Sequence, residues 1–213
     1  MIPRRAILVA ILVAGIASIA MPAASPAQQG APSLSAEDRR DIARAESHLD
    51  SLRTLAARFL QVSDRGAVAE GRLHLHRPGR LRLDYAPPSP LLIIAARGQI
   101  IQHDRELRQT SYIPMSSTPL AVLLRERVEL SGEVTPVAVE RGPGVLRIAV
   151  VQASDPRAGS LTLVFSERPF RLAGWIVSDA QGATTRVTLS DMEAGATMDP
   201  GLFLFREEFP QGN

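Results

Sequence analysis

Gly71-Arg72-Leu73-His74-Leu75-His76-Arg77-Pro78-Gly79-Arg80-Leu81-Arg82-Leu83-Asp84-Tyr85 reads as two strands and the turn between them. In the first half Leu73 and Leu75 alternate with Arg72, His74 and His76; in the second, Leu81, Leu83 and Tyr85 alternate with Arg80, Arg82 and Asp84. Successive side chains on a strand point to opposite faces, so the strands predicted over 71–77 and 80–85 each have one apolar and one polar face. Pro78-Gly79 supplies the turn. The hairpin is antiparallel, and its sheet needs a cover on one side only.

Arg77 carries the most information in this stretch. The parity of Leu73 and Leu75 puts its guanidinium on the apolar face, where it survives only if paired or hydrogen-bonded. The other reading is that Pro78 ends the strand and Arg77 reaches water along its alkyl stem. The pattern leaves both open.

Outward from the hairpin, further strands are predicted at 91–95, 100–103, 108–113, 134–140, 145–152, 160–166, 172–178, 184–190 and 202–205. Arg97-Gly98, Arg141-Gly142-Pro143-Gly144 and Ala180-Gln181-Gly182 mark turns between them. Consecutive hairpins without crossover helices imply a large, mostly antiparallel sheet, not a doubly wound one. Upstream, Ser35-Ala36-Glu37-Asp38 has the form of a capping box. Ile42, Ala45, Leu49, Leu52, Ala56 and Phe59 follow at spacings of three and four, predicting an amphipathic helix over 36–55. A second helix is predicted from Thr118-Pro119, with Leu120, Leu123 and Leu124 on its buried side.

Met1-Ile2-Pro3-Arg4-Arg5, an apolar run to Met21 and the small residues Ser25 and Ala27 compose a signal peptide over 1–27. The apolar run is short for a spanning helix, which needs about 20 residues. A linker over 28–33 and one domain over 34–213 are expected to follow, long enough to bury a core without staples. The chain has no cysteine, so an acylated cysteine cannot anchor it. Of its 24 basic residues, all arginine, two lie in the signal segment, leaving 22 against 22 acidic. A formally neutral chain with interspersed charges argues against nucleic acid as a partner.

No Gly-x-Ser-x-Gly elbow, Walker loop, dinucleotide fingerprint or cysteine nucleophile is present, so nothing marks an enzyme or a cofactor site. His74-x-His76 could chelate a metal from one strand face, but the surrounding arginines oppose a cation, and no metal is expected. His103-Asp104 resembles a base and its orienter, yet adjacent strand residues face apart. Leu73, Leu75, Leu81, Leu83, Leu92, Ile94, Ile101, Trp175 and Val177, with Leu123 of the second helix, suffice for a packed core. With only 4% aromatic residues, the same set suits an adaptable cavity for acyl chains. Composition does not choose between them.

The hairpin, with its Gly-strand-Arg-Pro-strand order leading to Pro87 or Pro88, resembles the LolA family. Phe59-x-Gln61, the Gly98 turn before Asp104, Thr118-Pro119-Leu120, Asp179-x-Gln181-Gly182-x-Thr184, Phe203-x-Phe205 and Pro210-x-Gly212 match in the same order. The departures are Leu81 and Leu83 where aromatic residues are frequent, Arg97-Gly98 for Asp-Gly, and His103-Asp104-Arg105 for Tyr-Asp-Pro. They bear on partner choice more than on fold. The resemblance implies a mainly β (α+β) fold: an unclosed, strongly curved antiparallel half-barrel, lidded by helices over a hydrophobic cavity. It implies a periplasmic, monomeric, non-enzymatic chaperone that needs no cofactor. Its cargo would be acylated lipoproteins, received from an inner-membrane lipoprotein-releasing ABC transporter and passed to an outer-membrane acceptor such as LolB. Arg77 falls on the family's lid-latching arginine, and the ten apolar residues named above would line the cavity. A related binding protein for another envelope lipid or glycolipid is the alternative.

Overall fold

The computed structural model describes residues 34–206; the expected signal peptide, the linker and Pro210-x-Gly212 lie outside them. One helix, α1 (Ala36–Ser51), precedes eleven strands: β1 (Thr54–Ser63), β2 (Val68–His76), β3 (Arg80–Tyr85), β4 (Leu91–Ala96), β5 (Gln99–Asp104), β6 (Gln109–Pro114), β7 (Val134–Gly142), β8 (Val145–Gln152), β9 (Gly159–Glu167), β10 (Phe170–Asp179) and β11 (Thr184–Ala194). All belong to one sheet in the order β6-β5-β4-β3-β2-β1-β11-β10-β9-β8-β7. Every pairing is antiparallel. The sheet is curved and unclosed, because its edge strands β6 and β7 do not pair. Residues 115–133 connect them, and we term this segment the crossover; it contains the 3-10 turns Met115–Ser117 and Pro119–Leu124.

Alternation sorts the strands into two faces. Leu55 and Phe59 of β1, Leu73 and Leu75 of β2, and Leu81, Leu83 and Tyr85 of β3 are buried on the concave side. In the other half Leu146, Ile148 and Val150 of β8 pair with Phe165, Leu163 and Leu161 of β9, all inaccessible. A leucine so placed stabilises the fold by about 1.5–3 kcal/mol relative to an exposed one. Gly71 fits the crowding between β1 and β3. A Cβ there would stand 2.0 Å from the Asp84 carbonyl oxygen and 2.8 Å from the Phe59 ring. Its absence lets Phe59 and Tyr85 meet edge to face across position 71, with centroids 4.9 Å apart.

Helix α1 opens as its sequence dictates: Ser35 Oγ accepts from the Asp38 amide at 3.0 Å and Asp38 accepts from the Ser35 amide at 2.8 Å. Ile42, Ala45 and Leu49 form its buried stripe. It ends at Ser51, four residues earlier than the sequence predicts. Leu52 leaves helical geometry with ψ 80°, and Leu55, Ala57 and Phe59 alternate as part of β1. Positions 52, 55, 56 and 59 fit helical spacing, while 55, 57 and 59 fit a strand, so the junction could not be read from periodicity. The second predicted helix is a six-residue 3-10 turn. The predicted strand over 202–205 is instead largely a 3-10 turn, Pro200–Phe203, whose cap Asp199 accepts from the Gly201 amide at 2.8 Å.

Candidate functional site

Between the concave face, α1 and the crossover lies a narrow apolar cavity. Leu49 of the helix and its cap Leu52, Leu55, Leu73, Leu75 and Leu81 of one half-sheet, Leu172, Trp175 and Leu189 of the other, and Leu120, Leu123 and Leu124 of the crossover surround it. Arg77 is the single charged residue among them. Only about 30 Å³ is free for a water-sized sphere, against roughly 300–1,000 Å³ in an open ligand pocket.

Arg77 follows the last residue of β2 and is 4% exposed. Its Nε donates to the Arg125 carbonyl at 2.7 Å, one terminal nitrogen to the carbonyls of Leu49 and, at 3.4 Å, Leu52, and the other to Asp50 Oδ1 at 3.0 Å and the Glu126 carbonyl at 2.9 Å. The buried reading of Arg77 thus holds, with its donors satisfied as burial requires. One guanidinium binds the C-terminal turn of α1, whose free carbonyls favour a cation, and also binds the crossover.

Neighbouring bonds fasten the same pieces. Asp50 Oδ1 accepts the Val128 amide at 2.8 Å, Glu46 Oε1 the Leu130 amide at 2.7 Å, and the Leu124 carbonyl the Gly79 amide at 2.7 Å. Burial pushes the Asp50 carboxyl up, but the Val128 amide and the Arg77 guanidinium outweigh it and hold the group below the usual carboxylate range. Residues 125–133 of the crossover thus form a strap, and its Val128 and Leu130 are buried. The helix and the strap are therefore held over aliphatic surface through backbone carbonyls and a few polar side chains.

Of the residues expected to line a cavity, the structure brings Leu73, Leu75, Leu81, Leu123 and Trp175 together with Arg77. Leu83 is buried on the same face beyond the void, and Val177 lies half-buried against the core. Leu92, Ile94 and Ile101 are corrections, because they lie on the convex face. The register sets Leu83 opposite Ile93 and Leu81 opposite Ala95, so Leu92 and Ile94 share a face with Asp84 and Arg82, and Ile101 pairs with Ile94. The run Leu91-Leu92-Ile93-Ile94-Ala95-Ala96 is apolar at every position, so its alternation could not be read. Leu49, Leu52, Leu55, Leu120, Leu124, Leu172 and Leu189 were not assigned to the cavity from sequence, although the helix stripe and the Thr118-Pro119 motif marked several as buried.

On the convex face, Phe203 is buried beside Arg80 and His76, with ring centroids of His76 and Phe203 6.0 Å apart. The Leu202 carbonyl accepts from Arg82 at 3.1 Å. His103 bonds Thr110 Oγ1 at 3.0 Å, while the Asp104 carboxylate caps its own turn by accepting from the Glu106 and Leu107 amides at 2.9 and 2.8 Å; the two are not a catalytic pair. Among the described residues no group of three or more His, Cys, Asp or Glu could hold a metal ion. No helix among them is long and apolar enough to cross a membrane.

An open antiparallel sheet whose concave leucines lie under a helix and a strap defines a class of half-barrels built around an apolar cavity. Within it this chain belongs to the LolA family: the family described as outer membrane lipoprotein carrier protein LolA matches residues 50–206. An outer-membrane lipoprotein carrier protein of Methylococcus capsulatus is 33% identical over 171 residues, covering 76% of this chain and 81% of that protein. One from Chromohalobacter salexigens is 27% identical over 206 residues, covering 92% and 91%. Among solved structures, a DUF1329 family protein from Desulfovibrio piger superposes with a TM-score of 0.50 at 8% identity, over 79% of this chain and 96% of that one, a likeness of fold alone.

Proposed function

We propose that this protein is a non-enzymatic periplasmic chaperone that takes the acyl chains of lipoproteins into the cavity and carries them from the inner to the outer membrane. The observation that carries this reading is the cavity itself: twelve apolar residues and one arginine, closed by a lid whose hydrogen bonds converge on that arginine. Family membership and the relatives named as carriers support it. Acyl chains entering the cavity would part the lid from the sheet, and Arg77 sets the cost of parting. Loading needs no covalent step, only a ligand that binds the open form better than the closed one. An inner-membrane lipoprotein-releasing ABC transporter would supply the cargo and an acceptor such as LolB would take it.

The test is a release assay with the purified protein and inner-membrane vesicles carrying labelled lipoprotein and the matching exporter. The expected result is label in a soluble one-to-one complex. Label that stays in the membrane while free lipid copurifies with the protein would replace this reading with a carrier of another envelope lipid or glycolipid.

A further inference from the structure

A second recess, with about 350 Å³ free for a water-sized sphere, lies on the other side of the crossover. Its polar groups come from Ser116, Thr118, Arg125, Glu133, Gln152 and Ser154. The turn Pro119–Leu124 is the wall between the two spaces: Leu120, Leu123 and Leu124 face the cavity, while Pro119, Ala121 and Val122 face the recess. We propose that this recess is the subsite for the polar end of the ligand, the ester linkages and first peptide groups that join the acyl chains to a lipoprotein. The proposal rests on the carrier reading and adds where the cargo's polar part goes.

An acylated peptide cannot bury its amides and esters among leucines without losing their hydrogen bonds. Chains in the cavity therefore require a polar space within one linker's length. The recess is that space, and the wall in between is a single six-residue 3-10 turn, tied to the sheet through the Gly79 amide on the Leu124 carbonyl at 2.7 Å. Its flanking backbone bonds, Thr118 amide to Met115 carbonyl and Arg125 amide to Val122 carbonyl, are both 3.4 Å long, beyond the usual range. The recess also holds donors that can change partner. Arg125 is paired with Glu133, whose side chain is 78% exposed, and an exposed pair of this kind holds weakly. Its guanidinium can turn to an ester carbonyl while Glu133 returns to water. Gln152, which donates to the Ser116 carbonyl, offers an amide of the kind that pairs with a peptide group.

Ala153 lies exposed on the recess wall and takes part in the sheet margin through its backbone, donating to the Glu133 carbonyl at 2.9 Å. Ala153→Trp fills the recess without touching the cavity or Arg77. Two probes are titrated into the parent and the variant: an apolar naphthylamine dye that needs only the cavity, and a synthetic triacylated pentapeptide. The expected result is dye affinity unchanged and lipopeptide affinity reduced about tenfold or more. Equal lipopeptide affinity in the two proteins overturns the subsite. A parent that binds the dye and not the lipopeptide overturns the carrier reading instead. Should Ala153→Trp lose both probes, a benzophenone amino acid at position 153 decides: illumination is expected to join it to the peptide part of bound lipopeptide, and adducts confined to acyl chains or absent overturn the proposal.

Discussion

The concave face of β2 and β3 and the convex face of β4 both bury aliphatic side chains, and they are covered by different means. On the concave side Leu73, Leu75 and Leu81 lie under a helix and a strap held by directional polar bonds, and a void remains. On the convex side Leu92 and Ile94 are buried on the face that the C-terminal turn crosses, and Phe203 is itself 3% exposed. Apolar contact is non-directional and grows with area, so a plug that fits stays packed. Hydrogen bonds to backbone carbonyls instead fix a lid in one register. The concave cover is thus fixed by the direction of its bonds, and the convex one by the fit of its apolar surface.

Arg77→Leu breaks this comparison most severely. It removes a buried cation whose partners are four carbonyls and a carboxylate. Loss of one member of a buried ionic network costs about 3–5 kcal/mol, which a urea titration would read as a lowered midpoint. The variant is also expected to admit an apolar dye more readily, because the closed form has lost its clasp, and to release cargo to the acceptor poorly. Arg77→Lys keeps the charge but not the planar fork, so it should recover only part of the stability. Full stability in Arg77→Leu would show that packing and the Asp50 and Glu46 bonds hold the strap without Arg77.

Phe203→Ala is the matching cut on the other face. Core phenylalanines cost about 3–5 kcal/mol on truncation; a ring at the surface of a sheet, flanked by Arg80 and His76, should cost less, about 2 kcal/mol. Dye binding is expected to stay at the parent level. A rise in dye affinity would mean that the two covers are coupled through the sheet.

The distinction between the faces was only half visible in the sequence. Strict alternation in 71–85 exposed the parity of β2 and β3 and made burial one of two readings of Arg77, which the hydrogen bonds to its guanidinium decide. Strand β4 gave no such signal, since an all-apolar run fits either register, and the register is set by pairing with β3. The Arg77 carbonyl partners were equally hidden: Leu49, Leu52, Arg125 and Glu126 contribute backbone, which side-chain patterns do not report. The strap over 125–133 has neither helical nor strand period, and what buries Val128 and Leu130 is anchorage by Asp50 and Glu46 some 80 positions away in the chain. Local capping and turn chemistry were legible because their partners lie within a few residues. Ser35 with Asp38 is one case; Asp179 accepting from the Gln181 and Ala183 amides, both at 2.9 Å, is another.

The smallest expected effect separates the two covers by pH. His76 sits 3.1 Å from an Arg80 terminal nitrogen through Nε2; since a guanidinium only donates, the ring accepts and is neutral. Burial, then the Arg80 charge, holds the His76 imidazole below its usual range, and burial, then Arg82, does so for His74, with Asp84 opposing and Arg72 adding to it. A group whose folded pKa is depressed binds fewer protons folded than unfolded, so its contribution is complete above the unfolded value of about 6.5 and is lost as pH falls through 6.5 toward the folded pKa. Asp50 at the latch is also depressed, but from a carboxylate value, so its contribution is lost only below about pH 3.9. Acidification from pH 7.5 to 5 is therefore expected to loosen the turn around Phe203 while the Arg77 clasp stays closed, as read by amide hydrogen exchange at 200–206 against 125–130. His74→Gln with His76→Gln should abolish the pH dependence at 200–206. Equal loss of protection in both segments would place the titrating group outside the convex face; His48 of α1, whose neutral Nε2 accepts the Leu172 amide at 3.1 Å and which burial holds below its usual range, would then be the group to replace.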